Sequence, residues 1–98
     1  MPINKETLEI SHQQAIKELI SIPGVGKSIA TDLWNIGITS VEELKGQSPD
    51  ELYDRSNTFA GTVQDRCLLY VFRCAVYYAE TPKEEQDPAK LQWWNWKG

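Results

Sequence analysis

The chain has 98 residues, 41% of them hydrophobic and 24% charged, with six glycines and five prolines, proportions that fit one globular domain and exclude a disordered, fibrous or two-lobed protein. Ten Lys and Arg against fourteen Asp and Glu leave a net charge of -4, so nucleic acid cannot be held by bulk electrostatic attraction and any such contact must be local. The start, Met1 to Glu6, lacks the basic-then-apolar order of a secretory signal, and the apolar run from Cys67 to Ala79 is interrupted by Arg73 and falls short of the ~20 residues of a spanning helix. A cytoplasmic protein with no membrane contact is expected. Cys67 and Cys74 sit on one helical pattern with a rise of about 10.5 Å between them, beyond the ~7 Å that a disulfide bridges, and are expected as reduced thiols.

In chain order, Ser11 with Gln14 opens a helix through Ala15, Ile16, Leu19 and Ile20, with Lys5 to Ile10 as a backward extension and Pro23 as its stop. A second helix runs from about Lys27 to Asn35, with Ile29, Ala30 and Leu33 inward and Gly37 as its left-handed cap. Ser40 with Glu43 starts a brief third helix ending at Gly46. Ser48-Pro49 starts a fourth over residues 49–56, followed by a loop, Asn57 to Gly61. Thr62 with Asp65 caps the longest helix, which continues to about Glu80 and stops before Pro82. Val63, Cys67, Leu68, Val71, Phe72, Cys74 and Ala75 make it the rod of the core. A polar strip, Arg66, Tyr70, Arg73 and Tyr77, is the exception. Lys83 to Gln86 reads as a solvated linker, and Asp87-Pro88 starts a short helix ending in Trp93, Trp94 and Trp96. At least two of these tryptophans are expected to pack back on the long helix. No strand is predicted.

The segment Ile22-Pro23-Gly24-Val25-Gly26-Lys27-Ser28 carries the chemistry. Two glycines one residue apart permit a tight turn between helices and leave backbone amides bare at the positive end of the helix that follows, where an anion fits. Val25 can turn inward as a plug, and small Ala30 lets the helices approach. Lys27 and Ser28 add a charge and a hydroxyl. Lys17 and Lys27 are offset along the sequence by Glu18 and Asp32, so only a weak, salt-sensitive contact is expected.

This string resembles the helix-hairpin-helix motif of DNA repair and recombination proteins, which reads hydrophobic-Pro-Gly-hydrophobic-Gly with an Ala on the second helix. The likeness continues through Leu33 to Leu44. It implies an all-α, tandem helix-hairpin-helix fold of the SAM-like five-helix kind, with a short aromatic C-terminal helix. Residues 1–98 then form one domain, with the first hairpin at 22–27, a degenerate second at 57–62 and a C-terminal segment at 82–98. The resemblance assigns DNA phosphate contact to Gly24, Val25 and Gly26, with Lys27 and Ser28 in support. Phe59-Ala60-Gly61-Thr62 keeps one of the two glycines of the motif, and Arg55, Gly61 and Arg66 are the secondary contacts it implies. The whole chain, through Tyr70 to Thr81 and the final Trp-Trp-Asn-Trp, resembles a small bacterial family labelled "pathogenicity locus" or, loosely, "mitomycin resistance".

The expected function is a non-enzymatic, sequence-non-specific accessory at DNA. The alternative is a protein-interaction module whose acidic surface and Trp-rich end are the contacts. Arg66, Tyr70, Arg73 and Tyr77 can meet single strands, or Arg73 can pair with an acid from a neighbouring helix while its stem packs on tyrosine rings. His12 and the cysteines lack metal-ligand spacing, no catalytic constellation can be assembled, and Gly24 to Ser28 is too short for a Walker loop. No cofactor, metal or small-molecule substrate is expected.

Overall fold

The computed structural model describes residues 5–97, with side chains from Ser11 onward; the single domain read over 1–98 extends outside the described residues. The described residues form α1 (Lys5–Ile20), α2 (Lys27–Asn35), a 3₁₀ turn at Glu42–Leu44, α3 (Pro49–Ala60) and α4 (Arg66–Glu80), followed by 3₁₀ turns at Lys83–Glu85, Pro88–Leu91 and Trp93–Trp96, with no strand among them. The architecture is all-helical. Helices α1 and α2 pack as one pair and α3 and α4 as another, α2 meets α3, and the C-terminal turns lie on α4. One apolar cluster runs through every helix, with Leu19, Leu33, Leu44, Leu52 and Phe72 among its fully buried members.

Helix α1 includes the extension from Lys5, so Ser11 lies within it rather than at its cap. No Gly or Pro interrupts Lys5 to Ile20, and nothing in that stretch opposes propagation. Ala15, Ile16 and Leu19 are buried, but Ile20 is 43% exposed, a correction to its expected inward place: a position one turn beyond Ile16 has drifted to the edge of the stripe. Helix α2 ends as expected, at Gly37 with φ +93°. The Ile38 amide donates to the Leu33 carbonyl at 2.9 Å and the Gly37 amide to Trp34 at 3.0 Å, a Schellman closure with Leu33 and Ile38 both buried. The expected third helix is a single 3₁₀ turn.

Ser48 accepts from the Glu51 amide with Pro49 behind it, as the sequence indicates. Helix α3 then runs to Ala60, past the expected loop at 57–61, and closes at Gly61 (φ +74°), where the Thr62 and Gly61 amides donate to Asn57 and Thr58 carbonyls at 3.2 Å. The loop is therefore 61–65. Asp65, not Thr62, caps α4 by accepting from the Cys67 amide at 2.8 Å. The segment between is fastened by the Tyr53 hydroxyl, which donates to the Gln64 carbonyl, and by the Asn57 side chain, which accepts from the Gln64 amide at 2.9 Å. Val63 lies at the loop tip, 81% exposed, which corrects its placement in the core; Cys67 is half-buried. Leu68, Leu69, Val71, Phe72, Cys74, Ala75, Val76 and Ala79 form the buried side of α4.

Gln86 is not free linker: its side-chain amide donates to the Tyr78 and Thr81 carbonyls at 3.1 and 3.0 Å. Asp87 caps the next turn through the Ala89 amide. Trp93 packs on the core, and Trp96 lies against Tyr77 with its indole N–H donating to the Lys90 carbonyl at 2.8 Å. Trp94 is half exposed, so Trp93 and Trp96 pack back toward α4 but only Trp93 joins the core. Arg73 donates to the Trp96 carbonyl at 2.7 Å, stands 3.9 Å from Asp50 of α3 and lies over the Tyr70 ring, the paired arrangement rather than an open strip.

Candidate functional site: the turn between α1 and α2

The turn is drawn tight from inside. The Ile22 amide donates to Leu19 and the Val25 amide to Ile22, at 3.1 and 3.0 Å, and both side chains are buried, so Val25 is the plug the sequence suggests. Gly24 has φ +85°, a left-handed conformation that L side chains rarely adopt. A Cβ there would also lie 3.0 Å from Trp93 Cδ1. Trp93 thus supports the turn from below, a role sequence reasoning missed because only the tertiary fold brings residue 93 to residue 24.

Gly26 is the N-cap of α2, in an ordinary extended conformation, with no side-chain cap and open space where a Cβ would be. Its carbonyl accepts from Ala30 at 2.9 Å, which closes the first helical turn. Among the described residues no acceptor meets the amides of Gly24, Gly26, Lys27, Ser28 or Ile29, and Gly24, Gly26, Lys27 and Ser28 are exposed. The Val25 amide belongs to the turn, which corrects its assignment as a free donor. Gly26, Lys27 and Ser28, three of the five expected site residues, are therefore exposed with acceptor-free amides at the positive end of α2, while Gly24 lies in the turn before it, on the side of Asp32 and Trp93.

The charges around the turn are sorted by face. An open groove of about 440 Å³ beside it is lined by His12, Gln13, Ile16, Lys17, Ile20 and Lys27. No carboxylate is among these residues. Glu18, which the sequence sets beside Lys17, accepts from the Val41 amide at 3.1 Å and is drawn to the connector before α3. Asp32 lines a cleft of about 320 Å³ on the Trp93 side, with Gly24, Ile29, Asp65 and Cys67. Burial raises the Asp32 carboxyl above its usual range, whereas the Cys67 amide holds Asp65 below it. Among the described residues, neither Glu18 nor Asp32 lines the groove or forms an ion pair with Lys17 or Lys27. Periodicity reveals neither destination, because each depends on a contact made far away in the chain.

The secondary contacts are not assembled. Arg55 donates to the Ile36 carbonyl at the end of α2, a structural use that neutralises a helix C-terminus. The Gly61 amide is consumed in closing α3. Arg66 is exposed beside the Tyr70 hydroxyl. The end of α3 and the loop after it instead present Phe59, 63% exposed, and Val63.

The thiols show no activation. Burial pushes Cys74 up to about 11, and its Sγ lies 3.5 Å from the Lys90 carbonyl. Cys67 is raised chiefly by its hydrogen bond with Asp65. No group of three His, Cys, Asp or Glu able to hold a metal occurs among the described residues, and no described helix is long and apolar enough to cross a membrane.

No solved structure matches the chain. Over 79 residues, 81% of this chain and 70% of the relative, it is 35% identical to a Streptomyces lavendulae protein named "Mitomycin resistance protein McrB". The family model described as "Pathogenicity locus" matches residues 12–98, nearly the whole of the sequence over which the helices, the turn and the tryptophan-rich end have been traced, and the chain belongs to that family.

Proposed function

We propose that the protein is a non-enzymatic accessory that touches DNA phosphate, without reading base sequence, through the turn between α1 and α2, and that its two helix pairs are a tandem helix-hairpin-helix unit in which the α1–α2 turn alone serves as a clamp. The observation that carries this reading is the set of acceptor-free amides of the exposed residues Gly26, Lys27 and Ser28 at the start of α2, with the exposed Gly24 in the turn before them. Such amides stabilise an oxyanion by direct hydrogen bonds and by the helix dipole together. Lys17 and Lys27, on a groove whose described lining holds no carboxylate, give the approach of a phosphate its local charge despite the acidic total.

Fluorescence anisotropy with a labelled duplex tests it. Two lysine–phosphate contacts predict a salt slope near -1.8, so affinity falls about 12-fold between about 50 and about 200 mM salt. Lys27→Glu weakens binding at the lower salt. A second reading, a protein-interaction module, is favoured by Phe59 and Val63, large apolar side chains exposed at the end of α3 and on the loop after it; absence of binding to duplex, nicked and single-stranded DNA selects it.

A further inference from the structure

The groove beside the turn has an apolar floor that phosphate contact does not use. Ile16 and Ile20 of α1 form it, Ile20 being 43% exposed, and Lys17 and Lys27 stand on its rim. His12 lies at the far end, its ring held edge-on by Trp34 at 4.8 Å. From His12 to Ile20 the groove follows about 12 Å of helix. Lys27 belongs both to the groove and to the amide cluster, so an anion site and an apolar surface are continuous at one residue.

We infer that this groove receives the base of an unpaired nucleotide whose phosphate rests on the turn, and that the protein therefore prefers single-stranded DNA to intact duplex. The inference rests on the reading of the α1–α2 turn as a phosphate contact. The chemistry is that of adjacent phosphate and base: a charged group and a flat apolar face joined by a short link. In an intact duplex the base faces are stacked inside and the outer surface is sugar and phosphate, which gain nothing from Ile20. A released base can lie over the exposed Ile20 side chain while its phosphate meets Lys27 and the amides, so base burial adds to the electrostatic contact. The cleft on the other side of the turn, with Asp32 and Asp65 on its walls, repels a strand and leaves the lysine-rimmed side as the path.

The test compares a labelled single strand with a fully paired duplex of the same length, at low salt, for wild type, Ile20→Ser and Lys27→Glu, with thermal melts to show that each variant is folded. The expected result is about fivefold or tighter binding to the single strand, loss of that preference in Ile20→Ser with duplex affinity unchanged, and weakening of both DNAs in Lys27→Glu. Methyl resonances of Ile16 and Ile20 shift on adding the single strand. Equal affinity for both DNAs in wild type, or an Ile20→Ser variant that keeps the single-strand preference, overturns this inference, while sensitivity to Lys27→Glu leaves the phosphate contact standing. Failure of every DNA to bind overturns both. Methyl shifts produced by an acidic amphipathic peptide, and not by the single strand, overturn the inference in favour of a protein helix in the groove.

Discussion

A methyl group added at Gly24 meets two obstacles at once, a backbone at φ +85° and the Trp93 ring 3.0 Å away. Gly24→Ala should therefore cost about 1–2 kcal/mol in urea unfolding. The doublet was legible in the sequence, because Gly-x-Gly between two helical patterns calls for a left-handed residue and for bare amides. What was not legible is that the two glycines have different reasons: Gly24 is required by conformation and by Trp93, whereas Gly26 has ordinary angles and free space. Asp32 gives a prediction of the opposite sign to a helix cap. Its carboxyl is raised by burial, so the folded state holds the proton more tightly than the unfolded one, and stability falls as pH rises from the ordinary carboxylate value through the raised one. Asp32→Asn removes that penalty: melting temperature rises at neutral pH, and the gain shrinks to nothing in acid below the unfolded value. A gain that persists unchanged at acid pH contradicts the assignment.

At the scale of elements, the starts and stops with unambiguous chemistry were readable. Pro49 behind Ser48 and Gly37 after α2 fall where helix-end rules put them. The loop between α3 and α4 was not, because Thr62-x-x-Asp65 has the spacing of a capping box while Asp65 is itself a cap, and Asn57, in a segment that reads as loop, completes α3 and receives Gln64. That choice depends on Tyr53 and Asn57 meeting Gln64, a tertiary matter. The tryptophans divide in the same way. Their burial was legible in kind, since a small domain gains from large rings, but the identity of the outward one was not. Trp93, packed on the core and under Gly24, should cost about 2–3 kcal/mol on change to alanine, a discount on full burial. Trp94, half exposed, should cost under about 1 kcal/mol despite its ring contact with Trp93. Equal losses in chemical denaturation would place the support of the turn elsewhere.

Across the whole molecule, an acidic chain of net charge -4 keeps one face whose described groove lining contains lysines and no carboxylate, because Glu18 is spent on the connector and Asp32 on the opposite cleft. The sum of charges, the most accessible number in the sequence, is therefore a poor guide to this face; the positions of its charges decide whether an anion can approach. The central claim is that the amides opening α2 are free because Gly26 leaves them so. Aspartate at that position fits the open space and caps the helix with its own carboxylate, which should raise stability by a few tenths of a kcal/mol and occupy the amides. The direct measurement is a low-salt DNA titration of Gly26→Asp beside Ser48→Asp, which adds the same charge at the cap of α3. Gly26→Asp should bind DNA at least tenfold more weakly than wild type and Ser48→Asp about as well as wild type; equal binding by the two variants would mean that the amides opening α2 do not hold the phosphate.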